Sequence, residues 1–384
     1  MARGALAGRP VTILGAGIGG LAAAEALARR GADVRVLEQA PQLGEVGAGL
    51  QVSPNGARVM HALGLGAELE TAGVRARAVR LVEHRAGRQI LRLDLGNTEP
   101  AYQFLHRADL HAILLRAARA DGARIVTGTA ITSAEARGGA WQLHLASGDT
   151  VTAPLVIGAD GLHSVLRPAL GNAGAARFTG QVAWRATVPA EGAVPPEARV
   201  AMGPGRHIVT YPLRGGRLLN IVAVEERRDW TRESWSGRDD PANLTAAFAG
   251  FAPALRAPLE RAVAPGLWGL FRHPVADRWH DGAGGAALLG DAAHPTLPFL
   301  AQGTNMALED AWVLADRLDR MPAAEALRSY QAARAPRCAR IVAAAEANAR
   351  NYHLSGATAR LAHAGLATLG RLAPGALTRR FDWL

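Results

Sequence analysis

Short apolar runs broken by glycine set the rhythm of this chain. Val11-Thr-Ile-Leu14 predicts a buried strand, and the Ala/Leu-rich segment after it predicts a helix running to Arg30. Gly31-Ala-Asp makes a turn, and Val34-Arg-Val-Leu37 predicts a second strand that ends in Glu38. Leu155-Val-Ile is another apolar strand, running into Ala-Asp160-Gly161, and Ala286–Leu289 a further one, ending in Gly290-Asp291. A proline-bearing loop then covers Ala292 to Gln302, and a helix opens at Gly303-Thr304-Asn305 and runs through Leu318. Between these units, Val182–Val188, His207–Leu213 and Leu218–Val224 read as strands joined by turns such as Arg214-Gly-Gly-Arg217. They predict a mostly antiparallel sheet. Thr231–Gly250, with Trp230 and Trp235, reads as loop then helix, and Ala323 to Leu369 as strongly helical and packed across both parts. The fold class is therefore α/β, with a Rossmann-type unit and an inserted antiparallel sheet.

The strand–glycine–helix–strand unit at the start carries chemistry. Gly15 permits a tight turn, Gly17 lets the backbone approach a pyrophosphate, and Gly20 lets helix and strand pack closely. Glu38 stands where a carboxylate binds ribose hydroxyls. This predicts dinucleotide binding without separating FAD from NAD. Asp291 offers a carboxylate for hydroxyl groups, and the helix start at Gly303 offers free N–H groups and a partial positive charge. The ribityl chain and isoalloxazine ring of a flavin would suit both at once. Taken singly, Thr304 or Asn305 reads equally as an ordinary N-cap, and Asp160 as a turn start with Gly161 supplying positive φ.

Composition narrows the classes. The formal net charge is +10, and every basic residue is arginine. The arginines are scattered, with pairs such as Arg29-Arg30 and Arg227-Arg228 as the longest runs, so a nucleic-acid partner is not expected. A basic field would help to collect small anionic molecules. Cys338 is the single cysteine, which excludes an intrachain disulfide and a CxxC redox pair and points to a reducing cytoplasm. Ten residues precede the first strand, fewer than a signal peptide needs. The apolar Val11–Ala28 stretch follows βαβ grammar rather than that of a membrane span. No second strand–GxGxxG–helix unit occurs; Gly282-Ala-Gly-Gly285 precedes a strand and reads as a turn. Any NADH or NADPH is therefore expected to bind transiently. His84, His111, His144, His273 and His280 lack metal-ligand spacing, and Asp291 with His294 is a poor basis for a metal site.

Taken together, GAGIGG with Glu38, GADGLHSVLR and GDAAHPTLPFLAQGTNMALEDAW resemble the three fingerprints of single-component FAD-dependent aromatic hydroxylases, the class A flavoprotein monooxygenases. The resemblance is nearest to the salicylate hydroxylase, 3-hydroxybenzoate 6-hydroxylase and 6-hydroxynicotinate 3-monooxygenase group. It extends to Glu45–Gly56, to Leu105-His-Arg107-Ala-Asp-Leu110, to Asn351-Tyr-His-Leu-Ser-Gly and to the tail Arg380–Leu384. It implies a glutathione-reductase-like FAD domain that is discontinuous (1–75, 100–179 and 272–320), a substrate domain (76–99 and 180–271) and C-terminal helices (321–384). Implied cofactor-binding residues are Gly15, Gly17, Gly20, Glu38, Arg107, Asp160, Asp291, Gly303, Thr304 and Asn305.

The implied reaction is NAD(P)H- and O2-dependent hydroxylation through a flavin C4a-hydroperoxide, on a small hydroxylated aromatic or N-heteroaromatic acid. His207 and Tyr211 lie four apart on one strand and so share a face, and they match the family's His and Tyr around the substrate oxygen. A core Tyr211 and a surface His207 are the plain alternative. Pro298 walls the flavin or merely stiffens a loop. Arg185 binds a carboxylate or is an exposed sheet arginine. Gln51 stands where some hydroxynicotinate enzymes carry histidine, and Pro298 where the hydroxybenzoate 6-hydroxylase pattern has glutamine, which favours a salicylate-like or unassigned substrate. An oxidase or epoxidase of the same fold, and a catalytically silent FAD-binding protein, stay open as alternatives, as do monomer and homodimer.

Overall fold

A computed structural model describes residues 4–44, 48–228 and 237–372. Glu45-Val-Gly47, Trp230, Trp235 and the tail Arg380–Leu384, all used above, lie outside the described residues. Five parallel strands form the first sheet, in the order Ala286–Leu288, Val156–Gly158, Pro10–Leu14, Asp33–Leu37 and Arg124–Val126. Their register is level at the carboxyl end. Leu14 stands opposite both Gly158 and Leu37, Gly158 opposite Leu288, and Leu37 opposite Val126. The turns that leave these strands therefore emerge side by side. Three motifs separated by more than a hundred residues meet along one sheet edge, where open α/β sheets hold their ligands.

The helix Ile18–Ala28 is buried at every position except Gly19. It packs against the helices Arg107–Ala120 and Gly303–Arg320. Its Ala/Leu sequence, with no polar face, suits an element covered on all sides. Gly15 has φ +94°, and a Cβ there would lie 2.6 Å from the Ala159 carbonyl oxygen. A Cβ at Gly20 would lie 2.0 Å from the Gly15 carbonyl oxygen, so helix and turn touch through backbone.

The second sheet has seven strands in the order Gly266–Arg272, Arg177–Pro189, Leu218–Glu226, Arg206–Leu213, Glu197–Gly203, Ala78–Glu83 and Gln89–Asp94. It is antiparallel except where Glu197–Gly203 runs parallel to Ala78–Glu83. Side chains alternate between its faces. Trp184 and Ile221 pack with Leu244, Phe248 and Phe251 on the outer side. Ala183, Val224, Trp268 and Leu270 pack with Leu297 and Phe299 on the side facing the parallel sheet.

The C-terminal segment, expected to be strongly helical over Ala323–Leu369, is divided at a point the sequence reading did not specify. It forms two helices, Ala323–Asn351 and Gly356–Leu372, with Gly356 at φ +60°. The break falls where His353 is tied to the sheet, its carbonyl accepting from Gly205 N–H at 3.1 Å. The first helix has 29 residues and runs about 43 Å at 1.5 Å per residue, through Pro336. Near its start, Tyr330 donates its hydroxyl to the Leu288 carbonyl in the parallel sheet; near its end, Asn348 donates to the Phe299 carbonyl.

Candidate active site

The carboxyl edge of the parallel sheet and the inner face of the seven-stranded sheet enclose a cleft of about 330 Å³. Gly17, Ile18 and Gly19 line one end, and Asp291, Gly303 and Thr304 line the floor beside them. Two helices begin here, Ile18–Ala28 and Gly303–Arg320, and no side chain caps either. Their first N–H groups make a positive patch built from backbone. A Cβ placed on Gly17 would meet nothing within 4 Å, so the chain presents bare backbone to the cleft at this point.

Glu38 sits beside the glycine turn. Its carboxylate accepts from Ala16 N–H at 2.7 Å and from Ala40 N–H at 2.8 Å, one on each oxygen. Each oxygen keeps acceptor capacity for a hydroxyl group. His111, read from sequence only as lacking metal spacing, is buried and bonds the Ala16 carbonyl through Nε2 at 2.8 Å, which holds the turn from the other side. Asp160 accepts from Val165 N–H at 2.9 Å and shapes the turn after the strand Val156–Gly158; its neighbours Ala159 and Gly161 line the cleft. Gly15 and Gly20 likewise act through packing. Arg107 lines the cleft at the start of its helix.

Asp291 opens into the cleft, and its side chain is exposed there although it sits deep between the two sheets. Burial pushes its carboxyl upward, against the pull of His294, Arg107 and His273. Asn305 is fully buried and turns away. Its side chain accepts from Ser53 N–H at 3.0 Å and donates to the Gln51 and Ala301 carbonyls at 3.0 and 2.8 Å. It fastens the helix start to the Gly49–Val52 strand, so its share of a cofactor contact is limited to its backbone N–H. Ala301, just before this helix, holds φ +53°, a strained value for a residue with a Cβ.

At the other end of the cleft, His207 and Tyr211 both line the wall, as do Gln51, Arg185 and Pro298. Their neighbours include Phe299, from the apolar loop expected to wall the site, and Trp268, which sequence reasoning passed over. The Arg185 guanidinium lies 5.0 Å over the Trp268 ring. Its Nε is buried without a protein partner, and burial pulls its pKa down. Tyr211 stacks on Phe104 at 5.1 Å. Burial raises its hydroxyl pKa, and Arg185 and a hydrogen bond from Gln51 only partly offset this. Gln51 also accepts from Tyr102 at 2.8 Å. His207 is buried, with Phe299 and Tyr352 rings at 5.5 and 5.2 Å. Its Nδ1 meets His353 Nε2 at 2.8 Å. Burial first, and His353 second, hold its pKa well below the usual histidine value. His353 carried no role from sequence; the Asn351-Tyr-His stretch was the only signal that could have raised it.

Behind the cleft lies a buried charge cluster. His294 and Arg334 both bond Asp310, Arg334 and Arg337 bond Glu309, and Asp310 accepts from Gly290 N–H at 3.0 Å. Burial alone would raise the Asp310 carboxyl, but His294 and Arg334 hold it at about 2. His294, Asp310 and Cys338 bring ligand atoms within 4.8 Å of one another. Arg334 donates to Asp310 at 2.7 Å and lies 3.6 Å from Cys338 Sγ, so its guanidinium is the cation this cluster holds.

The family model described as FAD binding domain matches residues 9–345. The chain is 41% identical over 356 residues to 3-amino-4-hydroxybenzoate 2-monooxygenase of Streptomyces cremeus, covering 90% of this chain and 88% of the relative. It is 37% identical to 3-hydroxybenzoate 6-hydroxylase of Polaromonas naphthalenivorans (strain CJ2), covering 90% and 89%. Among solved structures it resembles Klebsiella pneumoniae HpxO complexed with FAD and uric acid, with TM-score 0.85 at 26% identity, covering 97% of each chain.

Proposed function

The chain belongs to the FAD binding domain family, as a FAD-dependent monooxygenase of the aromatic hydroxylase kind, and from that premise we propose that it hydroxylates a small hydroxylated aromatic acid using O2 and NADH or NADPH. The observation that carries this reading is the placement of His207 and Tyr211 on one wall of a cleft whose other end is lined by Gly17, Asp291 and the uncapped Gly303 helix start.

The residues present fit an FAD. Gly17 leaves room for a pyrophosphate, and Glu38 retains acceptors for ribose. Asp291 accepts from ribityl hydroxyls, and the N–H groups of Gly303, Thr304 and Asn305 favour negative charge on the ring system. Arg107 lies close enough to bias Asp291. Gly15, Gly20 and Asp160 set the turns that hold these groups. When bound, the flavin supplies electron uptake from the nicotinamide and the activation of oxygen.

The chain's own residues prepare the substrate. Arg185, with its Nε lacking a protein partner, takes a ring carboxylate. His207 is uncharged near neutrality because burial disfavours its cation, so it can accept the phenolic proton. Tyr211 stays protonated because burial disfavours its anion, so it donates to the oxygen that His207 leaves charged. Pro298 and Phe299 keep water from the ring, and Gln51 positions Tyr211. We place the division of labour along sheet membership. The flavin unit is 1–75, 100–179 and 272–320, and the substrate unit 76–99 and 180–271, with the strands Arg177–Pro189 and Gly266–Arg272 crossing between them; a C-terminal part begins at 321. No described helix is long and apolar enough to cross a membrane. The single, buried cysteine is consistent with a cytoplasmic setting.

The test is a panel of 3-amino-4-hydroxybenzoate, 3-hydroxybenzoate, salicylate, 6-hydroxynicotinate and neutral phenols, scored as product and peroxide formed per NADH. A phenolic acid should stimulate NADH oxidation with product in near-equal amount. His207→Ala and Tyr211→Phe should retain FAD but lose about 10²–10⁴ in product-forming rate, with peroxide appearing instead. If no aromatic acid stimulates NADH oxidation, an oxidase or epoxidase of the same fold replaces this reading.

A further inference from the structure

His207 does not end at the cleft wall. Its Nδ1 meets His353 Nε2 at 2.8 Å, and His353 Nδ1 meets Glu226 Oε1 at 3.0 Å. The two histidine side chains are buried, whereas 58% of the Glu226 side chain is exposed. Three side chains from two strands and a helix end thus form an unbroken line from cleft to solvent. We propose that His353 and Glu226 are a proton relay that carries the phenolic proton accepted by His207 out to water. The proposal rests on the hydroxylase reading.

The partners fix the tautomers. The Glu226 carboxylate can only accept, so His353 Nδ1 carries a proton. Gln181 Nε2 lies 3.1 Å from the same nitrogen, while its own Oε1 is buried without a partner. Turning that amide end for end gives Nδ1–H a second acceptor and satisfies Oε1. A neutral His353 then has a bare Nε2, which accepts from His207 Nδ1–H. The remaining nitrogen, His207 Nε2, is left with its lone pair. An exposed acid thereby sets the form of a base at the cleft.

The transfer balances. The phenol O–H breaks and a bond forms from hydrogen to His207 Nε2. His207 Nδ1 gives its proton to His353 Nε2, and His353 Nδ1 gives its proton to Glu226, which releases one to water. A phenolate stays in the cleft, one proton leaves and no electron moves. Along the line, burial first and His353 second disfavour a cation on His207; at His353 burial disfavours one too, with Glu226 pulling the other way and Arg206 adding to the burial, and Glu225 is engaged by Arg227 at 2.6 Å. A base that is a poor resting place for a proton needs a route onward. A buried histidine pair kept only for packing would need no exposed acid at its end.

The experiment uses the FAD-loaded chain mixed with 3-amino-4-hydroxybenzoate or 3-hydroxybenzoate in weak buffer. A pH indicator follows proton release, and ligand absorbance follows phenolate formation. Glu226→Gln and His353→Ala should bind the ligand nearly as the parent does but release the proton at least about tenfold more slowly. Free imidazole should restore release in His353→Ala by filling the vacated ring position. Parental release rates in both variants would overturn the relay. So would a slow His353→Ala that imidazole does not rescue beside a fast Glu226→Gln, which would make His353 structural. If neither acid binds the parent, the hydroxylase reading fails, and nitrogen NMR of labelled histidine judges the relay by itself. His207 should then be found with Nδ1 protonated and Nε2 bare in the parent, and scrambled in His353→Ala. Any other parental tautomer rules the relay out.

Discussion

Glu25 shows how a single residue can oppose the fold that contains it. It is almost fully buried inside an Ala/Leu helix, with one carboxylate oxygen unpartnered. Burial first, and Asp121 second, raise its pKa from 4.5 to about 7, against the weaker pull of Arg29. Its folded-state pKa thus exceeds its unfolded one. The stability tied to its protonated form is complete below about pH 4.5 and is lost as pH rises through about 7. Glu25→Gln should therefore stabilise the protein at pH 8 and make no difference near pH 4. Allowing for partial solvent screening, the gain should be about 1–2 kcal/mol. Urea unfolding of both proteins at the two pH values measures it, and an equal change at both would contradict the assignment. At this scale the sequence was half legible. The roles of Gly15 and Gly20 followed from turn grammar, because a missing side chain has few reasons to be missing. Asn305 and Asp160 were read either as cofactor contacts or as local capping and turn residues; the side chain of Asn305 ties its helix to a strand, and Asp160 holds Val165 N–H with one carboxylate oxygen, details that depend on which way a side chain points.

The helix Gly303–Arg320 does two tasks on opposite sides. Its start faces the cleft, and Glu309 and Asp310 face inward to Arg334 and Arg337 of the next helix. Asn55 adds a donor to Glu309 at 2.6 Å, and Gly290 N–H ties Asp310 to the turn that carries Asp291. The cluster thereby links the two helices to the cofactor-facing loop. Arg334→Met removes the cation shared by two buried carboxylates and should cost about 3–5 kcal/mol, the usual penalty for orphaning a buried charge. It should also weaken FAD binding through the Gly290–Asp291 turn. Chemical denaturation and FAD titration check the two effects, and a loss below about 1 kcal/mol would mean that the cluster rearranges freely. The helix and its start were readable from apolar spacing and glycine. The charge cluster was not, because Arg334 and Asp310 are brought together only by the packing of two helices. For the same reason His353 went unassigned: the break that delivers it to His207 depends on a tertiary bond to Gly205.

Across the whole molecule, the helix Ala323–Asn351 joins the two sheets. Tyr330, Cys338 and Ile341 belong to the core around the parallel sheet, and Ala349 belongs to the cluster beneath the seven-stranded sheet. The protein should therefore unfold in one cooperative step. Calorimetry should give a single transition that shifts upward as a whole with added FAD, by about 2.7 kcal/mol at a hundredfold excess over Kd. Two transitions, with only one moved by FAD, would show the sheets to be independent. The broad architecture was open to sequence reading because level strand ends force distant glycine turns together. Which aromatic rings and arginines face inward required the sheet register. The two uncapped helix starts carry a further implication. Their attraction for anions is made of peptide N–H groups, which no ordinary substitution removes; only proline deletes one. The far wall, with Arg185, Tyr211 and Trp268, is made of side chains that can be exchanged one at a time. A lineage built this way can drift from one aromatic acid to another by exchanging side chains on the far wall, while the backbone share of its hold on the nucleotide is carried along unchanged.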